Sequence, residues 1–244
     1  MQPKWLSFFG GLVLLFIVYH FPEIFSALWI AALFKIGFLI LAFFIARWQG
    51  WRGLGAYGLA LHKGWIRNLI IGLLMGTCFF LFSEWLSVMA GFEEIISVKS
   101  LSAIIKVLPL TLLMTFFPSI AEDILTRGYL YAHLQKILKP AAFILLSSLF
   151  YVLNHIWRLT EGAHVLCYLF ILGIVLAWAL IYTKSLWLTL GIHWGSNIAF
   201  EMINAATTAN TFNKTYSTWI LAGCFALMLV ASVVIRKIFS KGSS

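Results

Sequence analysis

Long apolar runs separated by short polar segments make up almost the whole chain. About 20 mostly apolar residues are enough to cross a bilayer. On that measure the pattern predicts about eight spans, near 5–21, 24–46, 66–90, 102–135, 140–158, 163–183, 185–205 and 217–236. The runs are rich in Leu, Phe, Ile and Ala and lack the alternating ten-residue pattern of a membrane barrel, so the prediction is an all-α polytopic membrane bundle. The first run, preceded by Lys4, is like a signal peptide. It meets His20, Phe21 and Pro22 with no small-residue cleavage site, and is read as a retained first helix.

Composition agrees with this pattern. The chain of 244 residues is 62% hydrophobic and only 10% charged, with mean hydropathy +0.98, whereas soluble domains run to about 25% charged. No linker, charge run or low-complexity tract divides it, so residues 1–244 are expected to form one domain, with the chemistry concentrated in about 102–205. The net charge of +9 does not point to nucleic acid. With both termini cytoplasmic, twelve of the seventeen Lys and Arg residues, Arg127 among them, fall on the inner side. Only Lys99, Arg158 and Lys214 fall outside, and Lys35 and Lys106 lie within spans. That asymmetry is the positive-inside rule, and it makes the basicity a statement of orientation. Cys78, Cys167 and Cys224 each lie in an apolar run, far apart, as small core residues with no disulfide framework.

Two further patterns concern packing. The segment 47–65 contains Gly53, Gly55 and Gly58 at dinucleotide-fingerprint spacing. No strand precedes it and no acidic residue follows at the usual distance, so it reads as a juxtamembrane turn. Gly72/Gly76 and Gly191/Gly195 are small-residue pairs one turn apart, which let helix backbones approach closely.

Ionisable residues at membrane depth are the functional candidates. Asp123 and Arg127 are four apart, the spacing at which an acid and a base on one helix meet. Glu122 lies about 100° round the helix from that pair and faces elsewhere. The bland alternative is a solvated charge cluster at a span end. From Glu122 to the turn near 136 is fourteen residues, about 21 Å of helix, and from Pro140 to His155 is fifteen, about 22 Å. In an antiparallel hairpin Glu122 and His155 therefore reach the same depth. His193 and Asn197 share a face of a later span, with Glu201 one turn beyond toward the outer interface. Taken alone, that pair fits interhelical hydrogen bonding.

Together, an acid, two imidazoles and a carboxamide suit hydrolysis. A shielded Glu can take a proton from water, and imidazole and amide N–H groups can stabilise an oxyanion. No Ser or Cys is coupled to either His, which favours activated water over a covalent nucleophile. Glu122, His155 and His193 are also a zinc ligand count, although the compact His-Glu-x-x-His motif is absent. A non-catalytic binding, immunity or transport protein using the same polar cavity is the remaining alternative. Internal symmetry, which would favour a transporter, is not seen.

The series Glu122-Asp123-x-x-x-Arg127, Tyr151-x-x-x-His155 and His193-x-x-x-Asn197 resembles the three motifs of the CPBP family of intramembrane proteases. That family includes the CAAX prenyl endopeptidases and the bacteriocin-processing and Abi-type proteins. The GYL after Arg127 and the SLW before His193 strengthen the resemblance, which covers roughly 110–200. It implies an eight-helix bundle whose general base is Glu122, positioning water with His155, while His193 and Asn197 form the oxyanion hole. Asp123, Arg127 and Tyr151 would support them. Asp123 stands where the family usually has a second Glu, and Tyr151 where it usually has Phe. The implied enzyme is a glutamate-type endopeptidase without cofactor, zinc being the alternative. Its implied partners are membrane lipids and a membrane-embedded or lipid-anchored peptide. The expected location is the plasma membrane of a bacterium or archaeon.

Overall fold

The structure, a computed structural model, describes residues 5–25 and 27–241; side chains are described for these except at 28 and 235–241. Lys4 falls outside that range, as do the side chains of Arg236, Lys237 and Lys241, all counted above on the inner side. The helices run α1 Trp5–His20, α2 Leu28–Trp48, α3 Trp65–Met89, α4 Leu101–Asp123, α5 Tyr129–Leu134, α6 Pro140–Asn154, α7 Ala163–Thr183, α8 Leu186–Ala206 and α9 Lys214–Lys241. A π-helical turn, Ile124–Gly128, joins α4 to α5, so the described residues traverse the bundle eight times. Six of these traverses are long and apolar enough to cross a membrane. Helix α6 is shorter, and α8 contains the His193–Asn197 stripe. The chain is a multi-pass helical membrane protein. Leu6, Trp29 and Leu74 are at least 60% exposed, an outward apolar surface suited to lipid rather than water.

Local chemistry sets the element ends. Ser100 caps α4 by accepting from the Ala103 N–H, and Pro140 stands in the first turn of α6, where a missing N–H costs nothing. Helix α7 stops at Lys184, whose φ of 53° breaks the helical path. Ser185 then starts α8 by accepting from the Trp187 N–H at 3.3 Å. The segment around Gly53–Gly58 is a turn, as expected: Gly53 and Gly58 have positive φ, and the Gly58 carbonyl accepts from the Leu186 N–H at 2.9 Å.

The two Gly-x-x-x-Gly pairs meet each other. A Cβ added to Gly72 would lie 2.8 Å from the Gly191 Cα, and one on Gly195 would lie 3.0 Å from the Leu73 Cα. Helices α3 and α8 thus pack backbone to backbone, closer than side chains would allow. The hydrophobic core forms two clusters. One joins α1, α2, the π turn and α5, and the other joins α7, α8 and α9.

Three expectations are corrected. Cys78 faces outward and only Cys224 is buried, because α3 turns that side of the helix to lipid. Helix α6 ends at Asn154 rather than running to 158, and His155 is its C-cap with φ −87° and ψ 55°. The connections also contain an antiparallel pair that the apolar pattern did not foretell, β1 Glu93–Val98 and β2 Thr207–Thr211. Its strands are more than a hundred residues apart in sequence, so no hairpin signal announces it. This sheet closes the end of the bundle remote from Trp5.

Candidate active site

The site lies where α4, α6 and α8 converge, between the two core clusters. Pro118 has no N–H for the Met114 carbonyl, and the π turn beginning at Ile124 inserts an extra residue into the helix. Glu122 and Asp123 therefore sit in a stretch where the regular ladder is interrupted at both ends. Their side chains diverge. Asp123 and Arg127 are fully buried and paired, as their spacing predicts. Arg127 is accordingly not an inner-loop charge, which corrects its place in the charge count. Its guanidinium carbon lies 4.8 Å from the centre of the Tyr151 ring. That contact helps hold a cation whose Nε and second terminal nitrogen have no hydrogen-bond partner among the described residues.

Glu122 instead lines a cavity of about 840 Å³. His155 Nε2 lies 3.7 Å from its Oε1 and His193 Nε2 lies 3.5 Å from its Oε2, so one imidazole stands beside each carboxylate oxygen. Both gaps are longer than a direct hydrogen bond. The far side of each ring is anchored. His155 Nδ1 donates to the Tyr151 carbonyl at 2.8 Å, and His193 Nδ1 donates to Asp123 Oδ1 at 3.0 Å. Each anchor fixes a tautomer and turns Nε2 toward Glu122. Asp123 thus has two partners, where its spacing on the helix indicated Arg127 alone.

Asn197 lines the same cavity and donates to Ser119 Oγ at 3.0 Å, which leaves its second N–H and its carbonyl oxygen for other contacts. The Tyr151 ring is buried against both imidazoles, with centroids 4.7 Å from His155 and 6.0 Å from His193. All seven residues singled out from the sequence therefore belong to one cluster. Sequence reasoning missed Asn154, whose Nδ2 donates to Glu122 Oε1 at 2.9 Å. Its signal was present: an amide closing an apolar run, directly before His155.

Phe80, Leu172, Phe200, Leu221 and Phe225 give the cavity an apolar wall. Glu84, Glu93, Arg158, Glu161 and Lys214 stand toward the sheet end. There the Arg158 guanidinium binds Glu161 and holds its carboxyl below the ordinary value.

Zinc would need Glu122, His155 and His193 as its ligands. Among the described residues no three His, Cys, Asp or Glu side chains are arranged to hold a metal ion. The Asp123 and Tyr151 anchors leave both Nε2 atoms facing the Glu122 carboxylate.

Fold and site define a multi-pass helical membrane protein with a cavity lined by ionisable residues. Residues 104–199 match the family described as type II CAAX prenyl endopeptidase Rce1-like. That segment, which carries all the motif residues from Glu122 to Asn197, is similar to the CAAX prenyl endopeptidases. No curated protein matches the chain.

Proposed function

We propose that the chain hydrolyses a peptide bond with a water molecule activated by Glu122. The observation that supports this most is the placing of an imidazole Nε2 beside each oxygen of one buried carboxylate, at 3.7 and 3.5 Å. Gaps of that length suit water-mediated contact. Glu122 takes the proton from the attacking water, and His155, its Nδ1 held by the Tyr151 carbonyl, positions that water. As the carbonyl becomes tetrahedral, the free N–H of Asn197 donates to the developing oxyanion, and His193 Nε2 does so when the ring carries a proton on both nitrogens. The proton held by Glu122 then passes to the leaving amine.

The substrate is a membrane-embedded or lipid-anchored peptide. The aromatic and aliphatic wall accepts its apolar anchor, and the polar end of the cavity accepts its backbone. Both chain ends face the cytoplasm in this reading, because Arg47, Arg52, Lys63, Arg67, Lys136 and Lys139 gather at that end of the bundle. The cavity, which reaches toward the sheet, then opens to the opposite face.

The deciding experiment uses Glu122→Gln and a quenched-fluorescent peptide in which three residues follow a prenylated cysteine, with the protein in liposomes. Turnover by the wild type and a loss of at least about 10³-fold in the variant, with helicity and elution volume unchanged, is the expected result. Turnover retained by a folded Glu122→Gln protein overturns the reading.

A further inference from the structure

The hydrogen bonds at Glu122 do not end at Asn154. The Asn154 carboxamide is buried, 3% exposed, and its Oδ1 lies 3.0 Å from His20 Nε2 at the end of α1. His20 is itself buried, and its Nδ1 lies 2.7 Å from Glu23 Oε2. The same Glu23 oxygen accepts from Trp157 Nε1 at 2.9 Å. A continuous polar chain thus runs from the exposed Glu23, just past α1, to the carboxylate in the cavity, and its first half lies outside the family-matched segment.

The direction of each bond follows from donor and acceptor chemistry. A carboxylate only accepts, so Asn154 must turn its NH₂ to Glu122 and its carbonyl oxygen to His20. That oxygen then requires an N–H on His20 Nε2. Removing the His20 donor removes the group that holds the amide oxygen, and leaves Tyr19 and Glu122 as the remaining described groups that act on the amide. A flipped Asn154 would set its oxygen against the Glu122 carboxylate, repelling it from between the two imidazoles.

We propose that His20 and Asn154 are positioning residues that hold the Glu122 carboxylate in register with His155 and His193, so that the first helix is part of the site. The inference rests on the role given to Glu122 above. His20 touches no reacting atom and acts through Asn154. The arrangement makes two demands. Asn154 must donate, so an isosteric acid fails there. His20 must also donate, so another side chain with an N–H of similar reach serves in its place.

Two readouts separate this proposal from the hydrolase reading. The first needs no substrate: the infrared carboxyl band of Glu122 in ¹³C-glutamate-labelled protein, assigned by subtracting the Glu122→Gln spectrum. It should shift in Asn154→Asp and in His20→Leu and return toward the wild-type position in His20→Gln. The second is turnover of the prenylated peptide. Asn154→Asp should lower kcat by about 10²-fold, the scale of a reacting group misplaced by about 1 Å. KM should stay within about threefold, and His20→Gln should recover most of the loss caused by His20→Leu. Adding His20→Leu to Asn154→Asp should bring little further change, because the two act in series. If the Glu122 band is unmoved in folded Asn154→Asp and His20→Leu, the positioning role is overturned whatever the activity. If the band moves as expected but Glu122→Gln still turns over peptide, the positioning stands and the assignment of the base falls.

Discussion

Helix α8 is held by opposite means on its two sides. Toward α3 it has no side chains at the closest points. Gly191 and Gly195 lie against Gly72 and Leu73, and the contact is backbone on backbone. Toward α4 it presents His193 to Asp123 and Asn197 to Ser119, each through a hydrogen bond of 3.0 Å. The first side is a seam set by shape, and the second a set of polar pairs whose members have few other partners. Shape alone would allow small rotations of α8. Polar pairs alone would cost too much desolvation unless their distances were already right. The glycine seam fixes the helix closely enough for the polar side to be met, and the polar side selects one rotation.

The comparison is broken most severely at Asp123. Asp123→Leu leaves Arg127 charged and fully buried without its ion-pair partner, and frees the His193 ring from its anchor. The expected loss of stability is about 3–5 kcal/mol, the usual cost of orphaning a buried ion. The check is a thermal melt in detergent followed by size-exclusion elution, with aggregation or a large fall in Tm expected. Asp123→Leu combined with Arg127→Leu should be more stable than Asp123→Leu alone, since no unpaired charge remains.

A smaller loss is expected on the other side of α8. Gly191→Ala sets a Cβ within 2.8 Å of the Gly72 Cα, a distance that forces the two backbones apart. The expected destabilisation is about 1–3 kcal/mol, and because α8 shifts as a body, His193 and Asn197 move with it. Cysteines placed at the exposed positions 74 on α3 and 201 on α8, in a background lacking the native ones, would measure the widening by spin-label distance. An unchanged melt and an unchanged distance would show that the seam is looser than the glycines imply.

Much of this was legible before any coordinates. Residues four apart on one helix share a face whatever surrounds them, so Asp123 with Arg127 and His193 with Asn197 could be read from spacing alone. The depth match of Glu122 and His155 needed only a helix rise and a tight turn at Pro140. Contacts whose partners are far apart in sequence left no periodic mark. His20 meets Asn154 across 134 residues, and β1 meets β2 across a similar distance. The π turn was hidden for a different reason. Any helix-compatible sequence such as ILTRG reads as regular helix, and only the packing of Gly128 against Tyr57 and Leu186 accompanies the wider turn.

The finest test of the comparison concerns Ser119. Its hydroxyl donates to the Thr115 carbonyl at 2.7 Å and accepts from Asn197 at 3.0 Å, so it is the counterpart on α4 that keeps the Asn197 amide from swinging into the cavity. Ser119→Ala removes one neutral hydrogen bond, and Asn197 can turn to cavity water in exchange. The expected cost in stability is therefore only about 0.5–1.5 kcal/mol, well below that of Asp123→Leu. Its effect on turnover should exceed what so small a change in stability would bring. An amide free to rotate spends part of its time with oxygen rather than N–H toward the developing oxyanion. A several-fold fall in kcat with KM nearly unchanged is the expected outcome, measured on the prenylated peptide in liposomes. Equal kcat in Ser119→Ala and wild type would mean that the amide is oriented by something other than α4, and that the polar side of α8 is set by the His193–Asp123 bond alone.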